Sequence, residues 1–97
     1  MIICAAIDVT FTNANGKTIQ TIISGHRHAN CWELMHVLEL PPKSKRKEIE
    51  GFLDHKGAFL NRRDAFKHAL ECGQLSDTVL TYKQEKMERE LYSEDLY

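Results

Sequence analysis

The sequence predicts an α+β fold: a small antiparallel sheet built from two β-hairpins, with two helices packed on it. Two observations support this expectation. Paired runs of strand-forming residues twice surround a short turn sequence, and an amphipathic helical pattern follows each pair. Ninety-seven residues fit one domain, so we expect a single α+β domain over residues 1–97.

The first hairpin has the clearest pattern. Asn13-Ala14-Asn15-Gly16 supplies residues that tolerate positive φ, as a hairpin turn requires. Thr18 to Ile23 is rich in β-branched residues and forms the returning strand. Apolar residues alternate along the strand before the turn, at Ile3, Ala5, Ile7, Val9 and Phe11.

The first helix is predicted to start near Asn30. Asn30 and Glu33 have the spacing of a capping box, and Pro41-Pro42 ends the helix. Lys43 to Lys47 then forms a basic, irregular connection, either a solvated loop or a weak attraction for phosphate. The predicted buried stripe of this helix consists of Cys31, Leu34, Met35 and Leu38.

A second, shorter hairpin and a second helix follow. Phe52-Leu53 and Phe59-Leu60 flank the turn sequence Asp54-His55-Lys56-Gly57. Asn61 is placed to cap the next helix together with Asp64, and Gly73 to end it in a left-handed conformation. Its predicted inner stripe is Ala65, Phe66, Ala69 and Leu70.

The C-terminal quarter is less regular. Thr78 to Tyr82 fits a strand or a helix start, and the charged run Lys83 to Glu90 should be solvated. Leu91 to Tyr97 is apolar and aromatic again, so we expect this tail to dock on the fold or on a neighbour.

Composition excludes several classes of protein. Thirteen basic and fourteen acidic residues give a formal charge of −1, which argues against general nucleic-acid binding. Cys4, Cys31 and Cys72 are odd in number and favour reduced thiols in or near the core, hence a reducing cytosol. Ile2 to Ile7 is too short to span a membrane and lacks the features of a secretion signal. We expect a cytoplasmic protein without a membrane, metal or cofactor partner.

His26-Arg27-His28 is the most suggestive polar cluster. It precedes the first predicted helix, where free N–H groups and the helix dipole favour an anion. A guanidinium beside imidazoles could hold a phosphate or carboxylate there. The alternatives are a solvated loop, and a metal site through His26 and His28 that would lack further ligands at a useful spacing.

Arg62-Arg63 repeats the arrangement at the second helix. Asp64 could compensate these cations, or one arginine could reach a bound anion or the acidic tail. If both helix starts lie at one edge of the sheet, Arg27, His28 and Arg62 or Arg63 would form a phosphate-sized site. Ser93-Glu94-Asp95 could then receive ribose hydroxyls or an amino group, clamp an arginine, or form a surface turn. Trp32, Tyr92 and Tyr97 could stack on a base or belong to the core.

Catalysis is less favoured than binding. His28 with Asp95 or Glu94 could form a base and an orienting carboxylate, and Cys31 could be a nucleophile activated by the helix start. The sequence contains no Gly-rich phosphate loop, nucleophile elbow, HExxH or CxxC.

Several segments together resemble a family of small phage-encoded proteins. The similarity covers most of the chain. Three positions depart from the family pattern: Asn61 replaces an aspartate, Asp64 is the acidic residue of the helix, and Ala58 lies where a basic residue is frequent. The matching segments are Ile2–Ile7, Arg27-His28, Gly51–Leu53, Gly57–Ala65, Ala69, Gly73-Gln74 and Leu91–Leu96.

The resemblance implies a setting rather than a mechanism. Small phage proteins are often accessory, and some counter host defence by sequestering nucleotide-derived immune signals in pockets between copies of the protein. It therefore implies an oligomeric phage protein that binds a nucleotide-like anion without catalysis, in the cytoplasm of the infected host. An inhibitor of a host protein is the alternative, and a nucleotide hydrolase or lyase the third possibility. The residues and the resemblance together predict nine ligand-binding residues: His26, Arg27, His28, Arg62, Arg63, Gln74, Ser93, Glu94 and Asp95.

Overall fold

The computed structural model describes residues 1–96 and contains four strands and three main helices in that range. Two short 3-10 turns, Lys43–Lys45 and Ser93–Asp95, complete the regular structure. In chain order the elements are β1 (Ile2–Thr12), β2 (Thr18–Gly25), α1 (His28–Val37), β3 (Arg46–Asp54), β4 (Phe59–Asn61), α2 (Arg62–Glu71) and α3 (Asp77–Lys86).

The four strands form one antiparallel sheet in the order β2-β1-β3-β4. The predicted α+β class and both hairpins are confirmed, with α3 as a helix beyond the two predicted. In the first turn, the Asn13 side chain accepts hydrogen bonds from the backbone N–H groups of Asn15 and Lys17. Gly16 adopts a φ of +78° there, a conformation that glycine reaches without strain.

The second turn is held in a similar way by Asp54. Its carboxylate accepts hydrogen bonds from the backbone N–H groups of Ala58 and Lys56. These bonds, that of Ala58 foremost, lower the pKa of Asp54. Gly51, opposite Asn61 in β4, has no room for a side chain, because a Cβ would lie 2.1 Å from the carbonyl oxygen of Leu60.

The core lies between one face of the sheet, the inner face, and the helices. Ile7 and Phe52 of the sheet are fully buried there against Cys31 and Met35 of α1 and the alanines of α2. The alanines Ala65 and Ala69 let α2 approach the strands closely. The predicted inner stripe of α2 is confirmed at Ala65, Phe66 and Ala69 and wrong at Leu70, which is exposed.

Helix α1 begins earlier than predicted. Its N-cap is Arg27, and Asn30 instead accepts a hydrogen bond from the Arg27 backbone N–H. His28 is therefore part of the helix and lies with Cys31 and Met35 on its buried side. The predicted burial of Leu34 and Leu38 is wrong, because both are exposed.

The second half of the chain follows its local signals more closely. Asn61 caps α2 by accepting from the Asp64 N–H, and Gly73 follows the helix with a φ of +65°, both as predicted. Residues 78–82 belong to a helix, α3, whose N-cap is Ser76. The predicted solvation of the charged run is wrong at Lys83, which is only 2% exposed.

The three cysteines are free thiols in three different environments. Cys31 is buried, Cys4 is half-buried and Cys72 is exposed, so the expectation of core or near-core positions fails for Cys72. Within residues 1–96, no helix has the length and apolar character needed to cross a membrane.

Candidate functional site

The starts of α1 and α2 converge on strand β3. His28, the first residue of α1, places its Nε2 atom 2.8 Å from the carbonyl oxygen of Gly51. Arg62, the first residue of α2, pairs with the neighbouring Glu50 at 3.0 Å. The two side chains are close enough for the Arg62 charge to act on the His28 ring. The convergence expected for His28 and Arg62 is therefore found, although carboxylate and carbonyl oxygens already occupy it.

The C-terminal tail completes the environment of His28. Ser93 Oγ lies 2.6 Å from His28 Nδ1 and accepts a hydrogen bond from the His28 backbone N–H at 3.2 Å. Because a carbonyl can only accept, Nε2 carries the ring proton toward Gly51, and Nδ1 accepts from the Ser93 hydroxyl. Both ring nitrogens are thus engaged, which leaves neither to act as a base on a ligand in this conformation.

Burial sets the protonation of the residues considered for chemistry. Desolvation, followed by the charge of Arg62, lowers the pKa of His28 and favours its neutral form. Desolvation also raises the pKa of Cys31 to about 11. The Cys31 thiol is therefore protonated at neutral pH, the opposite of an activated nucleophile.

Arg62 ties the tail to the start of α2. It donates to Glu50 and to the carbonyl oxygen of Leu91, at 2.7 Å, while its own carbonyl accepts from the Leu91 N–H at 2.9 Å. Its guanidinium carbon lies 4.7 Å from the centre of the Tyr92 ring. Hydrogen bonding to Glu88, together with burial, raises the pKa of Tyr92 to about 12. The tail residues 91–96 thus dock on their own chain, and the expected docking of Tyr97 lies outside the described residues.

Lys83 anchors the acidic end of the tail. Its ammonium group lies 2.8 Å from the Asp95 carboxylate and donates to the carbonyl oxygen of Glu90 at 2.7 Å. Asp95 also accepts from the Tyr92 backbone N–H. The partner of Asp95 is therefore a lysine of α3 rather than Arg27 or Arg62. Sequence reasoning missed this role of Lys83, because the pair joins residues twelve positions apart that only the fold brings together.

Gln74 has a similar internal role at the start of β1. Its amide accepts from the Ile2 N–H at 2.8 Å and donates to the Ile2 carbonyl at 2.6 Å, like an added segment of strand. His28, Arg62, Gln74, Ser93 and Asp95 thus each make internal polar contacts, which connect helices, sheet and tail.

Arg63 differs from these residues because it is exposed and forms no ion pair with any described residue. It borders two open grooves. The α2 cleft, of about 510 Å³, is lined by Glu50, Asn61, Arg62, Arg63 and Glu90. The α2–α3 groove, of about 870 Å³, is lined by Arg63, Phe66, Lys67, Leu70, Leu80, Lys83, Gln84, Met87, Glu88 and Arg89.

The α2–α3 groove has an apolar floor and a basic rim. Phe66 and Leu80 pack against the core and form part of the floor, and Met87 is 84% exposed at the end of α3. Three rim cations, Arg63, Lys67 and Arg89, have no ion-pair partner among residues 1–96. Sequence reasoning did not assemble this groove, since α3 was not firmly predicted.

The remaining predicted ligand residues lie at the start of α1 and in the tail. His26 is exposed in the loop before α1, Arg27 is half-buried at its N-cap, and Glu94 is exposed in the tail. Neither groove bordering Arg63 is lined by these three residues. In the part of the chain that the structure describes, no three His, Cys, Asp or Glu side chains cluster as metal ligands. Ligand binding by the nine predicted residues stays a prediction.

The fold and its tail define a class of small α+β protein, a two-layer sheet and helix unit locked by its own C-terminal segment. The chain belongs to the phage T4 y16D protein family, whose model matches residues 1–97. This confirms the expected phage origin. No curated protein and no solved structure matches the chain.

Proposed function

We propose that this phage protein binds a nucleotide-like anionic small molecule without altering it, and sequesters a host immune signal in the cytoplasm of the infected cell. The observation that carries the proposal is the α2–α3 groove. Its volume falls in the range of about 300–1,000 Å³ usual for ligand pockets. An apolar floor beside unpaired cations suits a ligand with an aromatic ring at one end and phosphate at the other.

Arg63 is the residue on which we centre the phosphate contact. It borders both the α2–α3 groove and the α2 cleft, so one guanidinium can reach a ligand in either. Lys67 and Arg89 extend the positive rim for a second phosphate. Phe66 and Met87 offer apolar surface for a base, while Glu50 and Glu90 in the cleft offer acceptors for ribose hydroxyls.

A ligand screen tests the proposal. Purified protein is melted with ADP-ribose, cyclic dinucleotides and ATP, each in excess, because a ligand of the folded state raises the melting temperature. Ligands that stabilise the protein are then released by heat and analysed by mass spectrometry. Intact ligand supports sequestration, altered ligand indicates an enzyme, and the absence of any stabilisation contradicts the proposal.

Two matched arginine variants locate the site. Arg63→Ala should reduce ligand affinity at least tenfold, the loss expected for one charge-assisted contact, with an unchanged melting temperature of the free protein. Arg27→Ala is the control, since Arg27 lies outside both grooves. Loss only in Arg27→Ala would instead place the ligand at the start of α1, as the sequence suggested.

A second function is favoured by the surface of α1. Leu34, Val37 and Leu38 lie at helical spacing on its outer side, and all three are exposed. Such a stripe fits the helix-in-groove contacts that protein inhibitors use. A host protein captured by the wild type but not by Val37→Asp, with no small ligand bound, would favour inhibition over sequestration.

A further inference from the structure

The helices cover only one face of the sheet. The core residues Ile7, Val9 and Phe52 point to the inner face, and α1, α2 and α3 all pack against this same core. Side chains alternate along a strand, so the neighbours of these residues point to the opposite side. We call this side the outer face; it comprises Cys4, Ala6, Asp8, Thr10, Gln20, Ile22, Ser24, Lys47, Ile49, Gly51, Leu53 and Phe59.

The outer face presents large apolar side chains to solvent. Ile22 and Ile49 are exposed, and they flank Asp8 on either side in one cross-strand row. Cys4, Leu53 and Phe59 form another such row. The Phe59 ring also covers Gly51, where a Cβ would lie 2.7 Å from it. Apolar side chains that lie together on a surface, rather than singly, indicate an interaction site.

Asp8 and Lys47 are complementary charges on this face. Both Asp8 carboxylate oxygens accept from the Gln20 amide at 3.1 Å, and no described cation pairs with Asp8. Lys47 lies opposite Thr10 on the adjacent strand, one row away from Asp8. It too forms no ion pair with any of residues 1–96. Ile49 lies beside both charges, because it is opposite Asp8 and two positions from Lys47 on the same strand.

We propose that the outer face binds the same face of a second copy of this chain in a two-fold symmetric dimer. In such a contact each pairing occurs twice, so Asp8 of each subunit meets Lys47 of the other. Ile49 packs near the axis, and Ile22 and the row of Cys4, Leu53 and Phe59 add apolar area around it. The proposal is independent of the ligand, because none of the outer-face residues named above lines either groove.

Charge pattern selects a second copy over other partners. A nucleic acid or an anionic membrane requires a face with an excess of positive charge. The central part of the outer face carries one carboxylate and one ammonium group, which complement each other after a two-fold rotation. Covering the exposed isoleucines also adds burial that a chain of this length otherwise lacks.

Sedimentation equilibrium of the full chain tests the dimer. The wild type should sediment as a dimer at micromolar concentration. Asp8→Lys and Lys47→Asp should each weaken the dimer at least tenfold, since each places like charges in contact. The double variant Asp8→Lys/Lys47→Asp should restore the affinity, a rescue that damage to the fold cannot produce. If both single variants dimerise weakly and the double variant does not restore the affinity, the proposed pairing of Asp8 with Lys47 is wrong.

A matched pair of apolar residues identifies the face. Ile49→Lys on the outer face should give a monomer, whereas Val37→Lys on α1 should leave the dimer intact, although Val37 is even more exposed (72% against 53%). A monomeric wild type, or a dimer lost in Val37→Lys and retained in Ile49→Lys, overturns the proposal. Tighter association of Asp8→Lys than of the wild type also overturns the proposal, because Asp8 would then act against self-association.

Discussion

At the scale of single residues, most of the polar side chains that carry the resemblance to the phage family form hydrogen bonds or ion pairs within the protein. His28 and Ser93 satisfy each other, while Arg62 is shared by Glu50, the Leu91 carbonyl and the Tyr92 ring. Buried polar groups are stable only when they find such partners. In this protein a recurring polar residue therefore has a structural role that must be separated from any role in binding.

Removal of the Ser93 hydroxyl measures the structural role. Ser93→Ala takes away both the acceptor of the His28 N–H and the donor to His28 Nδ1, in a buried site. We expect the free energy of unfolding to fall by about 1–3 kcal/mol, the cost of leaving such groups unsatisfied. Urea unfolding gives the value. Ser44→Ala, at an exposed position, is the control, and an equal effect of both variants would contradict the assignment.

The partner of Ser93, His28, makes the stability of the protein depend on pH. The folded-state pKa of His28 lies below its ordinary value of 6.5, mainly through burial. Between these two pKa values the unfolded chain binds a proton that the folded chain does not. The contribution of neutral His28 to the free energy of unfolding is therefore complete above pH 6.5 and should be lost as the pH falls toward the folded-state pKa. Urea unfolding at a series of pH values should show a shallower slope for His28→Gln, and identical slopes would contradict the account.

At the scale of elements, local signals predicted what local contacts build. Both hairpins and the α2 cap follow from turn and cap residues whose partners lie within four positions, such as Asn13, Asp54 and Asn61. The start of α1 could not be found in this way. Its first N–H is capped by Ser93, which is 65 positions away along the chain.

Two failures of the sequence prediction have the same cause: the first half of β3 was not predicted as a strand, and Lys83 was predicted to be solvated. The charged run Arg46 to Glu50 is compatible with a strand because Arg46 pairs with Glu48 and Glu50 with Arg62. Lys83 is buried because the tail brings Asp95 and the Glu90 carbonyl to it. Sequence patterns around such residues indicate solvent exposure, and only the tertiary partner reverses that expectation.

The contribution of the docked tail to stability can be measured at one residue, Leu91. Leu91 is fully buried between α2 and the rest of the core. Leu91→Ala should lower the free energy of unfolding by about 2–5 kcal/mol, as expected for a buried leucine. Leu38→Ala, at a position 54% exposed, should cost far less. Denaturant titration compares the two, and equal costs would show that the tail adds little to stability.

At the scale of the whole molecule, the two proposals place function on opposite sides. The groove for an anion lies among the helices, whereas the proposed dimer contact uses the bare side of the sheet. A dimer of this kind would carry two grooves that face away from each other. Ligand binding and association should then be independent, so Ile49→Lys should retain the ligand affinity of the wild type. Loss of both properties in that variant would show that the site needs two copies.

The most direct measurement is the melting temperature of the wild type and Arg63→Ala, each with and without the ligand panel. A ligand present at about a hundred times its Kd stabilises the folded state by about 2.7 kcal/mol, which for a domain of this size is a shift of roughly 10 °C or more. We predict such a shift for at least one nucleotide-like anion with the wild type, and about half that shift or less with Arg63→Ala, because a tenfold loss of affinity leaves the ligand at only about ten times its Kd. Equal shifts in both proteins would remove Arg63 from the site, and no shift in either would contradict small-molecule binding itself.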